Sequence, residues 1–210
     1  MYPPDTMKLT AAQAQQLTKA VETAESFTSA EVVLVILPRS FSASGGPAIA
    51  GGLSAFVALA LVLLLENFEL EPFVALSSVA LVGLGAVVAT LLLPARLFAR
   101  AATLKGAVDE KAHAAFSRHG VFRTSGRTGI LVFLSLAERQ ARLLFDVGVA
   151  KSVPSELREE WRARFSAIAG SFDVGAMESA LKQLGQEAGP FLPRSADDVD
   201  ELANAPQVEA

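Results

Sequence analysis

Phe41–Leu65 (FSASGGPAIAGGLSAFVALALVLLL) and Phe73–Ala95 (FVALSSVALVGLGAVVATLLLPA) are two apolar runs separated by the acidic turn Glu66-Asn-Phe-Glu-Leu-Glu-Pro72. A helix that crosses a hydrocarbon core of about 30 Å needs about 20 apolar residues. Each run meets that length with no Asp, Glu, Lys, Arg or His inside it. Residues 41–95 are therefore expected to form a two-helix transmembrane hairpin. Small residues recur four apart, Gly51 with Ala55 and Ser54 with Ala58, then Gly85 with Ala89 and Ala86 with Thr90. That spacing lets helix backbones approach closely in lipid, so the two spans are expected to pack on each other. Ion and proton pathways carry ionisable residues within the membrane. Neither run has one, which points to an anchor.

Lys and Arg set the orientation of such a hairpin. The turn between the runs has none, whereas Lys8, Lys19 and Arg39 precede the pair and Arg96, Arg100, Lys105 and Lys111 follow it. The expectation is a multi-pass protein of a bacterial inner membrane, with both termini and the soluble part in the cytoplasm. Pro94–Ala102, with Arg96 and Arg100 beside Leu97 and Phe98, is expected along the interface. Met1–Lys8 lacks the basic-then-apolar pattern of a signal peptide.

The flanking segments read as α/β. Thr10-Ala-Ala-Gln13 is a capping box, and Ala14, Leu17, Val21 and Ala24 follow at helical spacing, which predicts a helix over Ala11–Glu25. Ala30–Leu37 (AEVVLVIL) is short and β-branched, as expected of a strand covered on both faces. After the hairpin, Leu104, Val108, Ala112, Ala115 and Phe116 mark a second helix closed near Gly120. Gly129–Ser135 is a second apolar strand, and Gln140–Asp146 alternates as a third, joined to it as a hairpin. Pro154 and Ser155 start a helix that buries Leu157, Trp161, Phe165 and Ile168. Asp173 is placed to cap a last helix carrying Val174, Met177, Leu181, Leu184 and Ala188.

The order α-β-(two spans)-α-β-β-α-α predicts a small mixed-sheet α/β sandwich interrupted by the hairpin. The two apolar strands are expected as parallel neighbours joined by a right-handed crossover. The segments divide as 1–40 and 96–194 for the α/β domain, 41–95 for the hairpin and 195–210 for an acidic, disordered tail.

Composition narrows the chemistry. The chain is 51% hydrophobic with a mean hydropathy of +0.40 and has no Cys, which excludes disulfides and thiolate chemistry. Asp197, Asp198, Asp200, Glu201 and Glu209 give the tail a charge of −5 against a net −4 for the chain, so the body, at +1, is close to neutral. A neutral body gives no support for nucleic-acid binding.

The densest polar cluster is His119-Gly-Val-Phe-Arg-Thr-Ser-Gly-Arg-Thr-Gly129. Arg123, Thr124, Arg127, Thr128 and Gly129 form a candidate ligand-binding loop. Its two guanidinium groups can fork onto a phosphate or carboxylate, assisted by backbone N–H groups. The alternative is a solvated turn whose arginines pair with acids such as Glu31 or Asp146. Asp146 is a candidate catalytic carboxylate at the end of the third strand, with capping or pairing as its plainer role. His113 and His119 are six apart, unsuited to sharing a metal on one helix face. No metal site or cofactor is expected.

Taken together these segments resemble the TPM domain family of thylakoid-lumen, bacterial and nematode proteins. The resemblance rests on Ser29-Ala-Glu-Val-Val-Leu-Val-Ile, Ala114-Ala-Phe-Ser-Arg-His-Gly-Val and Arg127-Thr-Gly-Ile-Leu-Val-Phe-Leu-Ser. It continues through Glu138-Arg-Gln-Ala-Arg-Leu-Leu-Phe-Asp-Val-Gly and Ser171-Phe-Asp-Val-Gly-Ala-Met. Thr128-Gly129 stands where members often carry Asn-Gly. The bacterial branch with a membrane hairpin after the first strand is the nearest in organisation. The resemblance implies a mixed α/β sandwich and one of two activities, accessory factor of membrane complexes or acid phosphatase. The expected function is a non-enzymatic interaction module whose partners are the bilayer and a membrane protein. The alternatives are a phosphatase-like hydrolase and a domain that senses an anion or a divalent ion.

Overall fold

A computed structural model describes residues 9–40, 77, 80–85, 88, 101–195 and 201–208. The chain divides into two compact units, Met1–Ser40 with Lys105–Ala210, and Phe41–Leu104. In the second unit residues 77, 80–85 and 88 are helical. The rest of the predicted hairpin lies outside the described residues, and no helix among those described is long and apolar enough to cross a membrane.

The first unit is a mixed α/β fold. Helix α1 (Ala11–Glu25) starts on the predicted capping box. The Gln13 backbone N–H donates to Thr10 Oγ1 at 3.2 Å, and the Thr10 N–H donates back to the Gln13 side chain at 3.0 Å. Strand β1 (Val32–Leu37) follows. After the excursion come α2 (Ala101–Arg118), β2 (Ile130–Ser135), β3 (Gln140–Phe145), α3 (Val147–Ser152), α4 (Ser155–Gly170) and α5 (Val174–Ala188). Asp173 caps α5 as predicted, accepting the Ala176 N–H at 2.8 Å.

Strands β1 and β2 pair in parallel from Val32 with Ile130 to Leu37 with Ser135. Strands β2 and β3 form an antiparallel hairpin. A two-residue strand, β4 (Gln207–Val208), extends this three-stranded sheet beyond β1, giving the order β3-β2-β1-β4.

Both faces of β1 and β2 are buried, which is why their sequences are apolar without alternation. Val32, Leu34, Ile36, Ile130, Val132 and Leu134 pack toward α1, α4 and α5 around Trp161 and Phe165. Val33, Val35, Leu131 and Phe133 pack the other way against Val108, Ala112 and Ala115 of α2. Burying a side chain such as Phe133 or Phe165 is worth about 1.5–3 kcal/mol each. Strand β3 alternates buried with half-buried residues, as expected of an edge.

The structure corrects one expectation and adds one element. The tail was expected to be disordered, yet residues 201–208 dock on the domain. Leu202 packs on the α2-side core, its N–H reaches Glu31 at 3.2 Å, and Gln207 pairs with Val35. The acidic composition misled because the docking groups are a few polar atoms and one Leu, well separated along the chain. The added element is α3, in a segment between Asp146 and Pro154 to which the sequence reading assigned no element.

Candidate functional site

The candidate loop lies at the amino ends of β1 and β2. Gly120 closes α2 at φ +64°, and a 3-10 turn at Val121–Arg123 follows. Thr124 is buried. Its hydroxyl accepts the Thr128 N–H at 3.0 Å, and its carbonyl accepts the Arg127 N–H at 3.0 Å. The Thr128 hydroxyl in turn donates to the Ser29 carbonyl at 2.9 Å, tying the loop to the residues before β1. Gly129 is required by close approach, since a Cβ there would sit 2.0 Å from the Val121 carbonyl oxygen.

These contacts leave Arg127 at φ +55°, with its guanidinium directed at Asp146. Its Nε donates to Oδ2 at 2.6 Å and its Nη2 to Oδ1 at 2.9 Å, a bidentate pair. Oδ1 also accepts the Val147 N–H at 2.7 Å, so Asp146 is the N-cap of α3. Arg127 is 53% exposed and Asp146 only 3%. The Arg127 hydrogen bond holds the Asp146 carboxyl below the usual carboxylate range, against the opposing effect of burial. Both oxygens of Asp146 are occupied.

Of the residues singled out from sequence, then, Arg127 and Asp146 meet, Thr124 and Thr128 hold the loop backbone, and Gly129 permits its packing. Arg123 is exposed, with its guanidinium 5.6 Å from the Phe122 ring centre. His113 Nδ1 lies 2.8 Å from the Asp109 carbonyl oxygen on its own helix. No group of three or more His, Asp or Glu among the described residues is placed to hold a metal.

A second polar cluster sits at the opposite, carboxyl ends of β1 and β2, and sequence reasoning missed it. Ser135 is fully buried and its hydroxyl donates to Glu138. The Ser40 hydroxyl lies 2.6 Å from Ser135 Oγ, whose own proton is committed, so Ser40 is the donor of that pair. The Ser40 N–H also reaches Glu138 at 3.0 Å. The available signal was Ser135 three residues before Glu138 at the end of a strand. Its third member, Ser40, precedes the long excursion and gave no local hint. In open α/β sheets ligands gather at the carboxyl ends of strands, so this edge is a second candidate site.

No family model matches the chain, and no curated protein does. Among solved structures, the NMR structure of BA42 protein from the psychrophilic bacterium Bizionia argentinensis is similar, with a TM-score of 0.60, 14% identity and 97% of each chain covered. At that identity the likeness shows a shared fold.

Proposed function

We propose that this chain is a membrane-anchored, TPM-like α/β module that acts by binding a membrane protein rather than by catalysis. One observation carries the reading. Strands β1 and β2 are parallel neighbours in full register, and the two apolar runs lie between them in sequence. A domain assembled from both sides of such an insertion is held at the bilayer by two connections. Confinement of that kind raises its effective concentration toward membrane partners. The exposed side chains of Leu81, Val82, Leu84 and Val88 are consistent with a helix facing hydrocarbon. The family assignment rests on the sequence motifs, and the fold shared with BA42 protein is compatible with it. The charge bias around the runs supports a cytoplasmic domain in a bacterial inner membrane.

The hydrolase alternative needs a free carboxylate or a metal pair. Asp146 instead spends both oxygens on Arg127 and on capping α3. The loop that carries Arg123, Thr124, Arg127, Thr128 and Gly129 accordingly serves to close the amino edge of the sheet.

Photo-crosslinking of the full chain in its own membranes tests this proposal. The expected result is a discrete adduct with one membrane protein, captured from positions on the α/β domain and not from a hairpin-only chain of residues 41–95. Absence of any discrete adduct would overturn the reading. So would phosphate-ester hydrolysis by the purified protein that Asp146→Asn abolishes.

A further inference from the structure

We propose that a cleft along the free edge of β3 binds a phosphate group. Strand β3 ends the sheet, and among the described residues no strand pairs with its outer side. The cleft there has a volume of about 360 Å³ and is bounded by α2, by residues 141–143 of β3 and by α4. That size is within the range of small-ligand sites, about 300–1,000 Å³.

Three cations from three different elements converge on it: Lys105 of α2, Arg142 of β3 and Arg162 of α4. The one acid lining it is Asp109, and Arg142 Nε already donates to that carboxylate. Arg142 is further fixed by its own Ala141 carbonyl at 2.8 Å and by Gln140 Oε1 at 3.0 Å. A guanidinium carries five N–H groups, so two remain on a group already held in place. Arg162 lies over the Phe145 ring, 5.0 Å from its centre, and pairs with Glu159 at the exposed rim. Lys105 has no hydrogen bond or ion pair among the described residues. Ser166 adds a hydroxyl.

Convergent cations from separate elements match a group with several acceptor oxygens better than a carboxylate, which has two. The loop favoured by the sequence differs in this respect, because Arg123 and Arg127 belong to one segment, and Arg127 forks onto the buried Asp146. The phosphate can come from a soluble ester or from a phospholipid headgroup. The second source rests on the anchored-module reading, under which Lys105 follows closely on the second apolar run in sequence. Phosphate binding itself does not depend on that reading.

The experiment uses the full chain in nanodiscs of zwitterionic phosphatidylcholine, titrated with inorganic phosphate and followed by calorimetry. Saturable binding is expected, weakened by about tenfold or more in the Lys105→Gln/Arg162→Gln pair and unchanged in Lys151→Gln. Lys105→Gln alone, which breaks no contact, keeps the test alive should the pair disturb folding. A second set of discs contains phosphatidylglycerol. A lowered apparent phosphate affinity there, abolished by the double substitution, identifies the headgroup as the natural occupant. Unchanged affinity identifies a soluble phosphate. The proposal is overturned if phosphate does not bind saturably in zwitterionic discs, or if binding ignores both substitutions.

Discussion

The two ends of the parallel strand pair use polar residues in opposite ways. At the amino edge three groups turn inward on the protein: Thr124 on the loop backbone, Thr128 on Ser29, and Arg127 on Asp146. At the carboxyl edge a buried Ser135 and Glu138 hold Ser40, the residue from which the chain leaves for the 41–104 unit. One edge is sealed by its own side chains, and the other is where the insertion begins. A cluster rich in Arg, Thr and Gly looks like a ligand site in sequence, but Arg127 and Thr128 have their acceptors within the fold. Composition alone does not distinguish a cradle from a clasp.

The most damaging way to break that contrast is Gly129→Ala. A methyl group 2.0 Å from a backbone carbonyl cannot be absorbed by a side-chain rotation. The loss is expected to be about 3 kcal/mol or more, the range of severe overpacking. Trp161, the single tryptophan and fully buried in the α4–α5 core, makes its fluorescence a reporter of this domain alone. A denaturant midpoint unchanged from the parent would mean the amino edge is looser than described. Asp146→Ala comes next, at about 1–2 kcal/mol, because it removes the cap of α3 together with the ion pair. The same measurement should show Asp146→Asn to be milder, since an amide oxygen still caps.

Acid tests the same edge with a smaller effect. Arg127 holds Asp146, and Arg164 holds Glu187, below the usual carboxylate range. A carboxylate lowered on folding stabilises fully above its unfolded pKa, about 3.9 for Asp and 4.3 for Glu. That stabilisation is lost as pH falls through the folded value. Stability is therefore expected to be level from neutral pH to about 5 and to fall below about 4. Asp146→Asn should make the acid limb shallower, read from Trp161 fluorescence against pH. An identical limb in parent and variant would show that Asp146 is not linked to folding.

Much of this fold was legible because its signals are local. The Thr10 capping box, the two apolar strands, the hairpin to β3 and the Asp173 cap each occupy a few adjacent residues. The long apolar side of α4 at Leu157, Trp161 and Phe165 was equally plain. Other features were hidden for physical reasons. Helix α3 is a single short stretch, Val-Gly-Val-Ala-Lys-Ser, too brief to show a period and dependent on the Asp146 cap. The choice between Glu31 and Asp146 as partner of Arg127 needed the register of β2 against β3, which brings Ile130 opposite Phe145. The Ser40–Ser135–Glu138 cluster joins residues on either side of the excursion. The tail depends on contacts between residues far apart in the chain.

The carboxyl edge should respond less to neutralisation than the amino edge does to Asp146→Ala. In Glu138→Gln the amide oxygen can still accept from Ser135 and from the Ser40 N–H. The expected cost is about 1 kcal/mol or less, since charged-acceptor bonds become neutral ones. A larger loss would show that the carboxyl edge, not the amino edge, is the stability-bearing end.

Removing residues 196–210 tests a segment that reaches from one edge toward the other. Glu201 accepts from the Ser125 N–H at 2.9 Å and from its hydroxyl at 2.6 Å, at the amino edge. Farther along, Gln207 and Val208 pair with Val35 and Ile36, toward the carboxyl end of β1. The tail thus runs parallel to β1 and covers its free side, a place where an unpaired strand would invite association. Two ladder positions and one carboxylate on an exposed loop amount to about 0.5–1 kcal/mol once chain ordering is set against them. Truncation should therefore leave the Trp161 midpoint almost unmoved. Its effect should be local, with faster hydrogen exchange at the Ser125 amide and no change at the Ala176 amide that Asp173 caps. Equal exchange at Ser125 in both chains would mean that the tail does not rest on the amino edge in solution. A large drop in midpoint would mean that the sealed edge depends on the tail rather than on Arg127 and Asp146.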